Sequence, residues 1–138
     1  MGVVRIDMIK ELAQKIIIAL GIVPEEDVKI DLNQLDWDGG PQIYITSEPT
    51  KADAETQMGL ISFETVMGIR CIAKSREQAW DTIRPAVRAV YDKFCELERT
   101  RGSGILAITY IEHNIYQNPD RGDGFFAFFS FRVLTSIL

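Results

Sequence analysis

Apolar residues recur along the first segment at Ile9, Leu12, Ala13, Ile16, Ile17 and Leu20. That spacing of three and four predicts an amphipathic helix over Met8 to Leu20. Asp7 stands where an N-cap belongs, Gly21 where a left-handed C-cap belongs, and Pro24 blocks continuation. Val28, Ile30 and Leu32 then alternate with Lys29 and Asp31, the pattern of a short strand. Asp36-Trp37-Asp38-Gly39-Gly40-Pro41 reads as a turn. From Gln42 to Ser47, Ile43 and Ile45 alternate with Tyr44 and Thr46, which predicts a half-buried strand.

Residues 49–59 (PTKADAETQMG) are polar and without period, so a long loop is expected there. Period two returns from Leu60 to Ala73. Ile61, Phe63, Met67, Ile69, Cys71 and Ala73 fall on one face, with Ser62, Glu64, Val66 and Arg70 on the other. Ser75 followed by Gln78 is a capping box that opens a second helix. Its stripe runs through Ala79, Trp80, Ile83, Val87, Val90, Tyr91, Phe94 and Leu97. Pro85 lies inside that stripe and predicts a kink near Asp81.

The last third reads as a long hairpin with arms Gly104 to Tyr116 and Gly124 to Leu134. Each arm spans about 35–40 Å at ~3.3 Å per residue, enough to cross a domain whose radius of gyration is about 14 Å. Five of the seven phenylalanines lie in the second arm. Phe125, Phe129, Phe131 and Val133 point one way; Phe126, Phe128 and Leu134 point the other. In the first arm, Leu106, Ile108 and Tyr110 are expected to oppose Ile105 and Ile111. Two helices cover the width of a four-stranded sheet once, so one face is expected to lack cover. A neighbouring subunit would supply that cover; the acidic segment 25–41, folded across the face, is the alternative.

Composition narrows the function classes. The chain has 138 residues, 46% hydrophobic and 25% charged, with a net charge of -5, which describes one globular domain, residues 1–138. No apolar run approaches a membrane span, and the start MGVVRID has no secretory h-region and no myristoylation pattern, Ile6 standing where Ser or Thr is needed. A soluble protein made in the host cytoplasm is expected, with no membrane partner. An acidic pI near 4.9 argues against specific nucleic-acid binding, which needs a clustered basic face.

Catalytic material is thin. Cys71 and Cys95 form no CxxC pair and are expected to be buried thiols. His113 follows Glu112 in a strand, so the two point to opposite faces and form no dyad. Asp31, Asp36 and Asp38 depart from the EF-hand template, with Leu35 and Asp36 at its fifth and sixth positions. Arg121-Gly122-Asp123 reads as a hairpin tip, with Asn118-Pro119 supplying turn geometry. There is no GxSxG elbow, no GxxxxGK[ST] and no GxGxxG. No enzyme, metal or cofactor is expected.

The order of elements then becomes informative. An N-terminal amphipathic helix leads to an Asp/Gly/Pro turn and the strand PQIYITSEP. A strand then runs into a capped helix (IRCIAKSREQAWDTIRPAVRAVYDKF) and a long C-terminal strand pair. This layout, with its strand-to-helix junction at Ile72 to Trp80, resembles the tail terminator proteins of long-tailed bacteriophages (tail-completion, minor tail protein U-like), and the likeness spans nearly the whole chain. The resemblance implies an α/β (α+β) fold: a mostly antiparallel four- to five-stranded sheet, two helices on one face and a long C-terminal hairpin. It also implies a structural virion protein. Copies would form a ring, a hexamer in that family, that caps the tail tube at the head-proximal end and meets the head-tail connector protein. Tyr44, Tyr110, Phe126, Phe128, Arg70 and Glu64 are the candidate interface residues toward self, the tail tube protein or the connector.

Two departures, the acidic segment 25–41 and Pro85, leave a related neck or head-tail joining protein as an alternative. A second alternative is a monomeric or dimeric small-molecule-binding module, including a weak enzyme. Its pocket would lie between the second helix and the sheet, near Trp80, Tyr91 and Cys95.

Overall fold

The computed structural model describes residues 6–30, 39–53, 62–117 and 124–136, and of residues 6, 7, 49–53, 62 and 63 the backbone alone. The elements are α1 (Ile6–Leu20), a 3-10 turn (Glu25–Asp27), β1 (Val28–Ile30), β2 (Gln42–Asp53), β3 (Ser62–Ala73), α2 (Arg76–Glu98), β4 (Ile105–Gln117) and β5 (Phe125–Ser136). The chain is α+β, with a five-stranded sheet in the order β1-β2-β3-β5-β4.

Both helices pack on one face. Ile9, Ala13 and Ile17 of α1, and Ala79, Ile83, Val90 and Phe94 of α2, join Ile43, Ile45, Met67, Ile69, Cys71, Phe131 and Val133 of the sheet in one core. α1 lies over β1 and β2, and α2 over β3, β5 and β4. Each helix therefore closes about half the sheet, and burial of its stripe, not propensity alone, holds it in place. Gly21 ends α1 at φ 67, a conformation that costs glycine nothing. Ser75 Oγ accepts from Gln78 N–H at the start of α2, and Gln78 Oε1 accepts in return from Lys74 N–H. The helix continues across Pro85, which is exposed together with Asp81. Proline at that position leaves the carbonyl of Asp81 without its helical partner.

Several expectations are corrected. α1 begins at Ile6, so Asp7 lies within its first turn and is not its cap. The sheet is mixed, because β1 runs parallel to β2, with Val28 opposite Ile43 and Ile30 opposite Ile45. The described part of the acidic segment therefore extends the sheet at its edge; residues 31–38 lie outside the described residues. The loop expected at 49–59 is strand as far as Asp53, paired to β3 down to Asp53 opposite Ser62, with an irregularity between Pro49 and Ala52. Residues 54–59 lie outside the described residues, as do Leu60, Ile61 and the Arg121-Gly122-Asp123 tip.

The hairpin arms are 13 and 12 residues long and pair along their length. Its first arm departs from period two. Bulges between Ile105 and Ala107 and between Tyr110 and Glu112 each add one residue to β4. As a result Ile105 and Ile108, expected on opposite faces, are both buried in the main core, while Leu106 and Ile111 are exposed.

Candidate interaction site

Cross-strand partners share a face, so the registers define what the helix-free side of the sheet carries. One rung reads Tyr44, Arg70, Phe128 and Asn114 across β2, β3, β5 and β4. The neighbouring rung reads Gln42, Ile72, Phe126 and Tyr116. Period-two alternation in β2, β3 and β5 places these side chains opposite the main core.

The two rungs make a small core of their own. Tyr44, Ile72 and Phe126 are buried together with Tyr116 packed against them. Tyr44 meets Phe126 edge-on at 6.4 Å between centroids, and Tyr116 stacks on Phe126 at 5.4 Å. Tyr116 also stands edge-on to Phe128 at 6.1 Å. These offset and T-shaped pairs are the arrangements that aromatic quadrupoles favour. Phe126, expected as an exposed anchor, is only 6% accessible and packs with Tyr44, Ile72 and Tyr116. Phe128 remains half-buried at the margin.

Arg70 occupies the middle of this aromatic patch. Its guanidinium carbon lies 5.4 Å from the Phe128 ring centroid, and Nη1 donates to Tyr116 Oη at 3.4 Å. Arg70 Nε is buried without a hydrogen-bond partner. Burial pushes the Tyr44 hydroxyl up to about 12, against the opposing pull of the Arg70 charge, so that hydroxyl stays neutral at physiological pH. Glu64 also lies on this face but engages Arg132 in an ion pair.

Tyr110 separates from the other five candidates. It lies on the helix-bearing side, near the rim of α2, against Phe129 and Phe131. There it belongs to a second aromatic series in which Trp80 stacks on Phe129, Phe129 on His113, and Tyr91 on Phe131. The Tyr110 hydroxyl and His113 Nδ1 are hydrogen-bonded to each other. In a regular strand, residues three apart face opposite ways; the bulge after Tyr110 brings this pair together. Period-two reading could not find that contact. Glu112 pairs with Ser130 and His113 with Phe129, so the two stand on opposite faces.

Beside this series lies an open cleft of about 580 Å³ lined by Trp80, Asp81, Arg84, Arg88, Tyr91 and Phe129, among others. Arg84 covers the Trp80 ring at 5.8 Å. Cys95, expected at a pocket here, does not line it and is half-buried, whereas Cys71 is fully buried. Among the described residues, no three of His, Cys, Asp and Glu gather in a way that could hold a metal ion, and no helix is long and apolar enough to cross a membrane.

No family model and no curated protein matches the chain. Among solved structures, it is similar to a chain of the virion of a native gene transfer agent particle, at 14% identity with a TM-score of 0.49. The match covers 81% of this chain and 80% of that one.

Proposed function

We propose that this chain is a structural protein of a phage-like virion whose copies close into a ring, a hexamer by its family resemblance. The ring caps the tail tube and joins it to the head connector, placing the protein at the head-proximal end of the tail. The observation that carries this reading is the division of the sheet. Both helices cover one face, the other carries the Tyr44–Arg70–Phe128 patch, and the outermost strand exposes Leu106, Tyr110 and Ile111. Exposed and half-buried aromatic and apolar side chains of this kind serve association between proteins. A ring needs two different complementary patches on every subunit, and the helix-free face is a candidate for one of them. The net charge of -5 suits a lumen through which DNA passes without adhering.

The mass of the purified protein in solution, followed by negative-stain imaging after mixing with tail tubes, tests the proposal. A multiple of the subunit mass, or rings seated on tube ends, is expected. A monomer under every condition that also leaves the tubes bare would overturn it.

The cleft beside Trp80 favours a second reading, a small-molecule-binding module. On that reading a ligand would quench Trp80 fluorescence, and substitutions at Phe128 would leave the mass unchanged.

A further inference from the structure

The helix-free face holds a positive charge that no carboxylate among the described residues neutralises. Among the described residues the partners of Arg70 are uncharged: the Tyr116 hydroxyl, the neutral Tyr44 hydroxyl and the Phe128 ring. Its Nε is enclosed and unpartnered. Among the described residues no carboxylate pairs with it. Glu64 is engaged by Arg132. Glu48 stands four residues along β2 from Tyr44, the residue opposite Arg70, which is about 13 Å at ~3.3 Å per residue. Glu112 lies two strands across and two residues along, about 12 Å away by the same spacings.

A guanidinium fixed by aromatic walls offers a rigid fork that fits a carboxylate through two parallel hydrogen bonds. Partial desolvation strengthens such a pair. The same chain also displays unmatched negative charge. Glu25 and Glu26 are exposed on the 3-10 turn that leads into β1, at the margin of the sheet, and make no ion pair among the described residues. Copies with a net charge of -5 repel one another unless their contact joins unlike charges.

We propose that Arg70 is the receptor for a carboxylate of a second copy, delivered by the acidic turn Glu25–Asp27. This rests on the ring reading and gives its contact a direction: the β1 margin of one subunit sits on the open face of the next. The contact is heterologous, because the donor and receptor patches differ.

The test compares the mass distribution of the full-length protein with those of Arg70→Glu, Arg70→Lys, the double variant Glu25→Lys/Glu26→Lys, and Arg70→Glu combined with that double variant. Melting temperatures are recorded in parallel, and assembly is measured with and without tail tubes. Arg70→Glu and the exposed-site double variant should each weaken assembly at least tenfold. Arg70→Lys, which keeps the charge but loses the fork, should fall between them and the native protein, and the combined charge reversal should restore assembly. Rings that persist in Arg70→Glu, or that ignore Glu25→Lys/Glu26→Lys, overturn this inference and leave the ring reading standing. Failure of the combined reversal to rescue, with its melting temperature intact, also overturns it. A native protein that never assembles overturns both.

Discussion

Trp80 stacks on Phe129, with ring centroids 5.6 Å apart and planes inclined by 25°. The pair ties the first turns of α2 to the fourth strand of the sheet order, β5, and Phe129 carries His113 of β4 on the same stack. Removing the indole should therefore loosen helix, strand and edge together. Trp80→Ala should cost about 3 kcal/mol, at the low end for a large aromatic because Trp80 is half-buried. Trp80→Phe should keep most of that. Urea unfolding of the two variants checks the difference.

Phe126 and Phe128 are two residues apart on one face but differ in burial. Phe126→Ala should destabilise the fold by about 3 kcal/mol, since it empties the centre of the small second core. Phe128→Ser should cost about 1 kcal/mol and act mainly on association, because that ring lies at the half-buried margin against Arg70. Thermal melts and solution mass, measured on both variants, separate folding from assembly. Equal effects of the two substitutions on both quantities would contradict the division.

The two thiols should be distinguishable by reagent. Cys71 is buried, and burial pushes its thiol from an ordinary value of 9.0 up to about 12. A thiol-disulfide reagent at pH 8 should modify Cys95 in the native protein and reach Cys71 only on unfolding. The same shift makes stability depend on pH. The native state holds the Cys71 proton more tightly than the unfolded chain, so this contribution is intact below pH 9 and lost as pH rises from 9 toward 12. Tyr44, raised from 10.0 to about 12, adds to the loss above pH 10. Urea midpoints should fall between pH 9 and 11, and less steeply in Cys71→Ala.

Gly68 marks a tight place on the open face. A Cβ added there would stand 2.8 Å from Thr46 Oγ1 on the paired strand, closer than atoms tolerate. Thr46 is β-branched and turns away only at a cost. Gly68→Ala should lower the melting temperature by several degrees. In a Thr46→Ala background the same substitution should cost far less, a coupling that a double-mutant cycle reads directly.

Much of this architecture is legible along the chain, for local reasons. The spacing of Ile9, Ala13 and Ile17, the Ser75 cap and the alternation in β2, β3 and β5 each depend on a few neighbouring residues, and burial follows them. What escapes reading depends on distant partners. Pro49 to Asp53 look like a loop, yet they pair because β3 extends far enough to meet them. Proline is tolerated there because, among the described residues, β2 is flanked on its outer side only by β1, along Ile43–Ile45. The parallel entry of β1 carries no local signature at all. The bulges of β4 are equally silent in its sequence, and they reverse the facing of Ile108 relative to Ile105 and bring Tyr110 to His113.

For the candidate site, alternation alone placed Tyr44, Arg70, Phe128 and Glu64 on a common side. The burial of Phe126 is not legible locally, because the residues it packs with, Tyr44, Ile72 and Tyr116, lie on three different strands. Tyr110 was misgrouped by the bulge that follows it.

The two offsets in β4 also set a limit on misassembly. A ribbon that buckles twice in 13 residues cannot lie flush along a straight copy of itself, so it makes a poor template for the stacked, flat ribbons of fibres. Leu106 and Ile111 can thus stay in water without inviting indiscriminate growth, and only a surface contoured to those bends can seat against them.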